Sequence, residues 1–317
     1  MKSTIFRCIV IASLLSSGIS LASEVDSFTG RYQPLTDVSD YINQKTEEYF
    51  DQALAQANKR SGCSEKRLFK SLRKQFRNHV QGQFNRWMAH THEFSKRPTV
   101  YSNSVYRDFK WHDAFTIAIK NIYKDTAADL INLNGHLIGT DKFEHFFGRG
   151  WAYYQKTYVQ NKGVLASLKF GHNSERIFLG AQTTGIYSYG DLAANFMGMR
   201  FWNHILQKHD DVLGKKYNYG PYVVCQDNKW VKNKQERSSV IDWKKYVSAA
   251  WDEGNNCSKF RNKSLLNKVL SIIEKLEQAS PDQRFKCPIN PELIQQSFDD
   301  MAPYSEWFIN PWGHAAL

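Results

Sequence analysis

The chain has 317 residues, with 42 Lys and Arg against 31 Asp and Glu, and a formal charge of +11 at neutral pH. At 42% hydrophobic residues it has ample material for a large core, which excludes a disordered tail or linker. After the first two dozen residues no stretch stays apolar for the roughly 20 residues that a membrane-spanning helix needs, so no transmembrane segment is expected.

Residues 1–22 read as an export signal: Lys2 and Arg7 give the charged start, Ile9 to Leu15 most of a short apolar run, and Ser20-Leu21-Ala22 the small residues of a cleavage site. Cleavage there lowers the formal charge from +11 to +9 by removing Lys2 and Arg7. A basic exported protein is suited to an anionic envelope polymer; a nucleic-acid role would rest on charge alone, since no reader motif is present. Cys63, Cys225, Cys257 and Cys287 remain after cleavage. Four cysteines allow three pairings in an oxidising compartment. We expect Cys225 with Cys257, on either side of one helix, and Cys63 with Cys287.

The class expected is mainly α: a compact multi-helix globular protein with an irregular, disulfide-tied C-terminal region. Its segments are an N-terminal helical arm (23–110), a central helical core (111–214) and a C-terminal helical and irregular region (215–317). Asp37 or Ser39 opens a helix to about Asn58. A longer one starts at Ser64, with Leu68, Leu72, Phe76, Val80, Phe84 and Trp87 at near-helical spacing. Lys66, Arg67, Lys70, Arg73, Lys74, Arg77 and Arg86 on its other faces make a solvated basic surface or a polymer-binding strip. A helix is expected from Trp111 to Asn134, then the turn Gly135 to Gly139, then a helix over 141–160. Short helices are expected over 162–171 and from Glu175 to Gln182, and a longer one from Asp191 to about His209. Residues 215–237 read as irregular, Ser238 or Ser239 starts a helix to Trp251, and Lys263 to Ala279 is clearly amphipathic.

The chemistry is concentrated between Gly139 and Trp202. Asp141, Glu144 and His145 stand at i, i+3 and i+4 and share one helix face. Phe143, Phe146 and Phe147 surround it with apolar bulk. Asp191 and Asn195 share a face of the later helix, and Ala194 and Gly198 leave room there for another helix to approach closely. Glu144 is the candidate general acid, because a carboxyl among phenylalanines loses hydration and tends to stay protonated. Asp191 or Glu175 is the candidate second carboxylate, though each also suits a helix start, Asp191 as a cap and Glu175 through the dipole. Asp141, His145, Thr184, Tyr187, Ser188, Tyr189 and Asn195 are candidate substrate contacts, the tyrosines as stacking faces for sugar rings. Asp141 and His145 with His136 or His172 form a weaker metal-binding alternative, without H-E-x-x-H spacing to support it. No metal or other cofactor is expected.

Asp-Lys-x-x-His at 141–145, followed by Asp-Leu-x-Ala-Asn-x-x-Gly at 191–198, resembles the helix pair of VanZ-like and YfiM-like bacterial envelope proteins. More broadly, the export signal, the basic balance, the helical build and the Glu of Asp-Lys-x-Glu-His resemble the secreted lysozymes of predatory bacteria that act on deacetylated peptidoglycan. That resemblance implies a periplasmic or secreted glycoside hydrolase, a monomer acting on peptidoglycan, with Glu144 as catalytic acid. The alternative is a non-enzymatic envelope protein whose helix pair is a structural or lipid-head-group site. A metal-dependent hydrolase is the third class.

Overall fold

The computed structural model describes residues 24–77, 81–114, 117, 128–233 and 241–317. The signal and its cleavage site lie outside the described residues.

The described chain is mainly helical. Helix α1 (Ser39–Ala57) packs on α2 (Glu65–Gln75), which Ser64 opens by accepting from the Arg67 N–H. The long helix expected from Ser64 is broken: α2 ends at Gln75, and α3 (Gln83–His90) restarts after Gly82. Gly82 permits the break, since a Cβ there would sit 2.5 Å from the Arg77 backbone nitrogen.

Of the helix expected from Trp111 to Asn134, residues 115–116 and 118–127 lie outside the described residues, and its expected end is instead part of a β-hairpin. Strands β1 (Leu130–Leu133) and β2 (His136–Gly139) pair antiparallel, Leu133 opposite His136. The turn is Asn134-Gly135, both left-handed with φ of 55° and 78°. This dipeptide is the favoured two-residue hairpin turn because the positive φ values match the twist of the strands. It outweighed the helical reading of Ile131 and its neighbours.

From Thr140 the chain enters α4 (142–159), in which α-helical turns alternate with π-helical turns at His145–Arg149 and Gln155–Val159. Helix α5 (Val164–Asn173) runs into a further π turn, Ser174–Leu179, so the two short helices expected here are one. A short strand, β3 (Ile186–Tyr187), leads to α6 (Tyr189–His204). Ser188 caps α6 by accepting from the Asp191 N–H at 3.1 Å. The cap of that helix is therefore Ser188, not Asp191.

Residues 215–237, expected to be irregular, contain the hairpin of β4 (Val223–Gln226) and β5 (Lys229–Lys232). The helix start expected at Ser238 or Ser239 lies outside the described residues; from 241 to Trp251 the chain forms two 3-10 turns, Trp243–Lys245 and Ala249–Trp251, each opened by a side-chain cap, Asp242 and Ser248. Strand β6 (Lys259–Phe260) lies between β3 and β7 (Ala315–Ala316). Helices α7 (Lys263–Ala279) and α8 (Pro291–Asp300) complete the chain, capped by Asn262 and Asn290. Among the described residues no helix is long and apolar enough to cross a membrane.

The disulfides correct the expected pairing: Cys63 bonds Cys225, and Cys257 bonds Cys287. The first ties the α1–α2 connection to the β4–β5 hairpin, which lie together because Asn58 brackets Trp230 with two backbone hydrogen bonds of 2.8 Å. The second closes the loop after Trp251 onto the tail. Spacing along the chain could not reveal that contact between Asn58 and Trp230.

The pair α4 and α6 forms the centre of the larger core cluster, which draws on residues from Val38 to Ile309. Phe146 lies against Phe201, Trp243, Tyr246 and Trp251. A Cβ on Gly198 would lie 1.8 Å from the Phe146 carbonyl oxygen, and one on Gly150 would lie 2.5 Å from Gly198 Cα. The two helices thus meet backbone to backbone, as Ala194 and Gly198 suggested.

Candidate functional site

The first turn of α4 meets the first turn of α6 at a buried ionic cluster. At its centre is Lys142, with no exposed side-chain surface. Its Nζ lies 3.0 Å from Asp141 Oδ2, 2.7 Å from Asp191 Oδ1 and 2.8 Å from Glu253 Oε1. Burial disfavours its charge, but the three carboxylates outweigh burial and hold the ammonium well above the usual lysine range. Gly190 allows this approach: a side chain there would crowd Lys142 Cε at 3.1 Å and Glu253 Cγ at 3.2 Å.

Asp191 joins the buried centre to the edge. Its Oδ2 lies 3.1 Å from His145 Nε2, and His145 Nδ1 lies 3.2 Å from Asn195 Oδ1. The i, i+4 relations of Asp141 with His145 and of Asp191 with Asn195 build this contact, as their spacing indicated. Burial acts against the charge of Asp191, but His145 and Lys142 overcome it and keep the carboxyl below its usual range. His145 is 16% exposed and Asp141 11%, against 7% for Asp191 and 1% for Glu253. The cluster therefore has an open edge at Asp141 and His145 and a closed interior.

Glu253 and two further carboxyls, Glu175 and Glu24, stand in that interior. Burial raises Glu253 to about 7, assisted by Asp191 and Asp141 and opposed by Lys142. Its Oε1 also accepts from Ser188 Oγ at 2.8 Å. Glu175 is raised well above the usual carboxyl range by burial and by Asp191, and its Oε1 accepts the Ser188 N–H at 3.2 Å. Glu24 is raised well above it by burial, Glu253 and Asp191, and accepts from Thr184 Oγ1 at 2.6 Å. Five carboxyls thus surround one lysine and one histidine. Unpaired charge is too costly to bury, which is why Glu24 and Glu175 are shifted up towards the neutral form while Asp191, against Lys142 and His145, is shifted down.

Glu144, the acid expected from the sequence, is half-buried beside His145 at the junction with the π turn. Its backbone N–H donates to the Asp141 carbonyl at 2.8 Å. The ion pairs at Lys142 are made by Asp141, Asp191 and Glu253. Glu175 does not stand at a helix start, as the dipole argument required; it lies in the π turn, 3% exposed.

The expected substrate contacts divide in two. Asp141, His145, Asn195 and Ser188 belong to the cluster. Tyr187 lies to one side, its hydroxyl 2.5 Å from His172 Nδ1, while His172 Nε2 faces the Trp307 carbonyl. Tyr189 packs edge-on against Tyr187, and Thr184, Tyr187 and Tyr189 are all buried.

Neither His136 nor His172 joins Asp141 and His145. The donor set for a cation is Asp141, His145 and Asp191, whose ligand atoms lie within 4.8 Å of one another. Two of the three already bind the Lys142 ammonium, which fills the cationic role there.

Sequence reasoning missed Glu24 and Glu253. Glu253 lies in the polar loop Asp252-Glu253-Gly254-Asn255-Asn256, which gave no helical spacing to place it. The loop is fixed by the Arg31–Asp252 ion pair, by Asn256 Nδ2 bonds to the carbonyls of Ala250 and Phe308, and by Cys257. Comparison with family models, with curated proteins and with solved structures found no match.

Proposed function

We propose that this chain is an exported, lysozyme-like glycoside hydrolase that cleaves the glycan strands of peptidoglycan. Glu144 is the general acid that protonates the leaving oxygen. Asp191 is the ionised second carboxylate, and it either activates water or stabilises the positive charge that grows on the sugar. His145 orients Asp191 from the open edge. Of the two second carboxylates considered from sequence, Asp191 is favoured over Glu175, because burial and Asp191 shift Glu175 well above the usual carboxyl range while His145 and Lys142 hold Asp191 below it.

The observation that carries this reading is Asp191, held below the usual carboxyl range, between the Lys142 ammonium and the imidazole of a partly exposed His145, with Glu144 beside it. Enzymes use differing environments to keep one carboxyl charged close to others that hold their protons. The disulfides and the basic balance fit a protein working in the periplasm or outside the cell, as a monomer at an anionic wall polymer. The experiment is to incubate the purified mature protein, and its Glu144→Gln and Asp191→Asn variants, with acetylated and deacetylated sacculi and to measure new reducing ends.

One observation favours a second reading. Lys142 and Glu253 are sealed, and the ions around them join α4, α6 and the 252–257 loop. A non-enzymatic envelope protein could use the same cluster purely as a structural lock. It would release no sugar fragments from any sacculus.

A further inference from the structure

The basic segment that leads into and forms α2 takes no part in the ionic cluster. From Lys59 to Arg77 the chain carries eight Lys and Arg against one acid, Glu65, so these 19 residues hold +7 of the +9 expected after cleavage. The fold puts most of that charge on one side. Leu68, Ser71, Leu72 and Gln75 of α2 are buried, while Lys66, Lys70 and Lys74 are exposed. The three lysines stand at i, i+4 and i+8, each about 6 Å along the axis from the last. Arg77 is exposed just beyond the helix end.

The row is not neutralised from within. Among the described residues Lys66, Lys70, Arg73, Lys74 and Arg77 form no ion pair, and the single acid, Glu65, binds Lys208 at 2.7 Å. Arg73 is held by a ring instead of a carboxylate: its guanidinium lies 4.9 Å from the ring centre of Trp151, a partly exposed residue of α4. Burial and the like charge of Arg77 keep Arg73 below the usual arginine range. Like charges at this spacing repel, and an anion from outside relieves the repulsion.

The form of the row selects the partner. The apolar face of the segment, Leu68, Leu72 and Phe76, is buried in the core, and no large apolar side chain between Lys59 and Arg77 is exposed. An interfacial helix needs its apolar face free to enter a bilayer. A line of cations without exposed apolar bulk fits a hydrated strand that carries anions at intervals.

We infer that this face of α2 docks the protein on the peptide stems of peptidoglycan through their free carboxylates. Each stem ends in a carboxylate and stems repeat along the glycan, so one strand offers the row several anions. The choice of peptidoglycan as their source rests on the hydrolase reading. Arg73 over Trp151, with Phe69 against Trp151 and Tyr154, anchors the row to α4, the helix that carries Glu144 and His145.

The test is co-sedimentation of the full mature protein with purified sacculi on ice. The expected result is saturable binding that weakens with salt. It should fall about tenfold in the triple variant Lys66→Gln/Lys70→Gln/Lys74→Gln, the loss of three surface ion pairs. It should fall likewise for the wild type on sacculi whose carboxyls have been amidated. Lys162→Gln/Lys169→Gln/Lys229→Gln makes the same charge change at exposed lysines elsewhere. That control should bind within about twofold of wild type, because distant exposed charges are screened. Circular dichroism checks that both triple variants are folded. Equal loss in the two, undiminished binding to amidated sacculi, or tighter binding to phosphatidylglycerol vesicles than to sacculi would each overturn the inference. Sugar release is scored separately. Docking without release removes the hydrolase reading and leaves the docking face; release with docking that ignores the α2 lysines does the reverse.

Discussion

Gly198→Ala tests the contact that positions the site. The new methyl would lie 1.8 Å from the Phe146 carbonyl oxygen and 2.6 Å from its carbon. Both are backbone atoms within a helix, so neither can rotate aside, and α4 and α6 must separate by more than 1 Å to reach ordinary contact. Overpacking of this kind costs about 3 kcal/mol, at the upper end of its usual range. Exchanging glycine for alanine in a helix returns about 1 kcal/mol. The net loss is about 2 kcal/mol, which for a chain of this size lowers Tm by about 3 °C. The same separation would pull Asp191 from Lys142 and His145, so on the proposed hydrolase reading sugar release should fall by more than the loss of folded protein explains. Differential scanning calorimetry with circular dichroism measures the first effect, and sugar release per folded molecule the second. A Tm that stays constant or rises by the helix-propensity gain would refute the backbone contact.

Other expectations follow from the same structure. Lys142→Met leaves Asp141, Asp191 and Glu253 without their shared cation and should cost about 3–5 kcal/mol at neutral pH, as for other broken buried pairs. Chemical denaturation should show part of that loss recovered in mild acid, and equal destabilisation at all pH values would contradict the ionic cause. His314 sits between Phe28 and Phe260, its Nδ1 donating to the Ser258 carbonyl and its Nε2 buried without a partner. Burial lowers it from 6.5 to about 4. A histidine depressed on folding contributes stability that is present above pH 6.5 and lost as pH falls towards about 4, here up to about 3 kcal/mol. His314→Phe should flatten that stretch of the stability–pH curve, and an unaltered slope would place the titration elsewhere. For the disulfides, whose cysteines lie 162 and 30 residues apart, loop-closure entropy gives about 5 kcal/mol for Cys63–Cys225 and about 4 kcal/mol for Cys257–Cys287. Paired Cys→Ser variants compared by denaturant melts, with mapping of unreduced peptides, check the order and the pairing; a Cys225–Cys257 peptide would contradict both.

The sequence was most informative where one helix carries its own partners. Asp141, Glu144 and His145 could be put on one face, Asp191 and Asn195 on another, and the bare patch of Ala194 and Gly198 foretold the close helix contact. Ser64, read as a helix start, does cap one, because a short polar side chain reaches a free N–H group of the next turn. What depends on distant residues was hidden. Glu253 reaches Lys142 from 111 residues away, and Glu24 meets Thr184 across 160, with no period to announce either. The Asn134-Gly135 turn was visible as residues but was outweighed by an apolar run that suits helix and strand equally. The cysteine pairing failed for the same reason: it follows from which loops pack together, and Asn58 against Trp230 is a contact between segments, not a local pattern.

The account rests on Glu144 and Asp191 acting as a proton donor and an ionised carboxylate on a glycan. The most direct measurement is reducing-end release from purified sacculi by the wild type, Glu144→Gln and Asp191→Asn, each first shown to be folded by its melting curve. Release by the wild type and its loss by at least 100-fold in both variants is the predicted result, since acid–base groups of this kind typically contribute about 10²–10⁴-fold. Full release by folded Glu144→Gln, or none by the wild type on either acetylated or deacetylated sacculi, would contradict it.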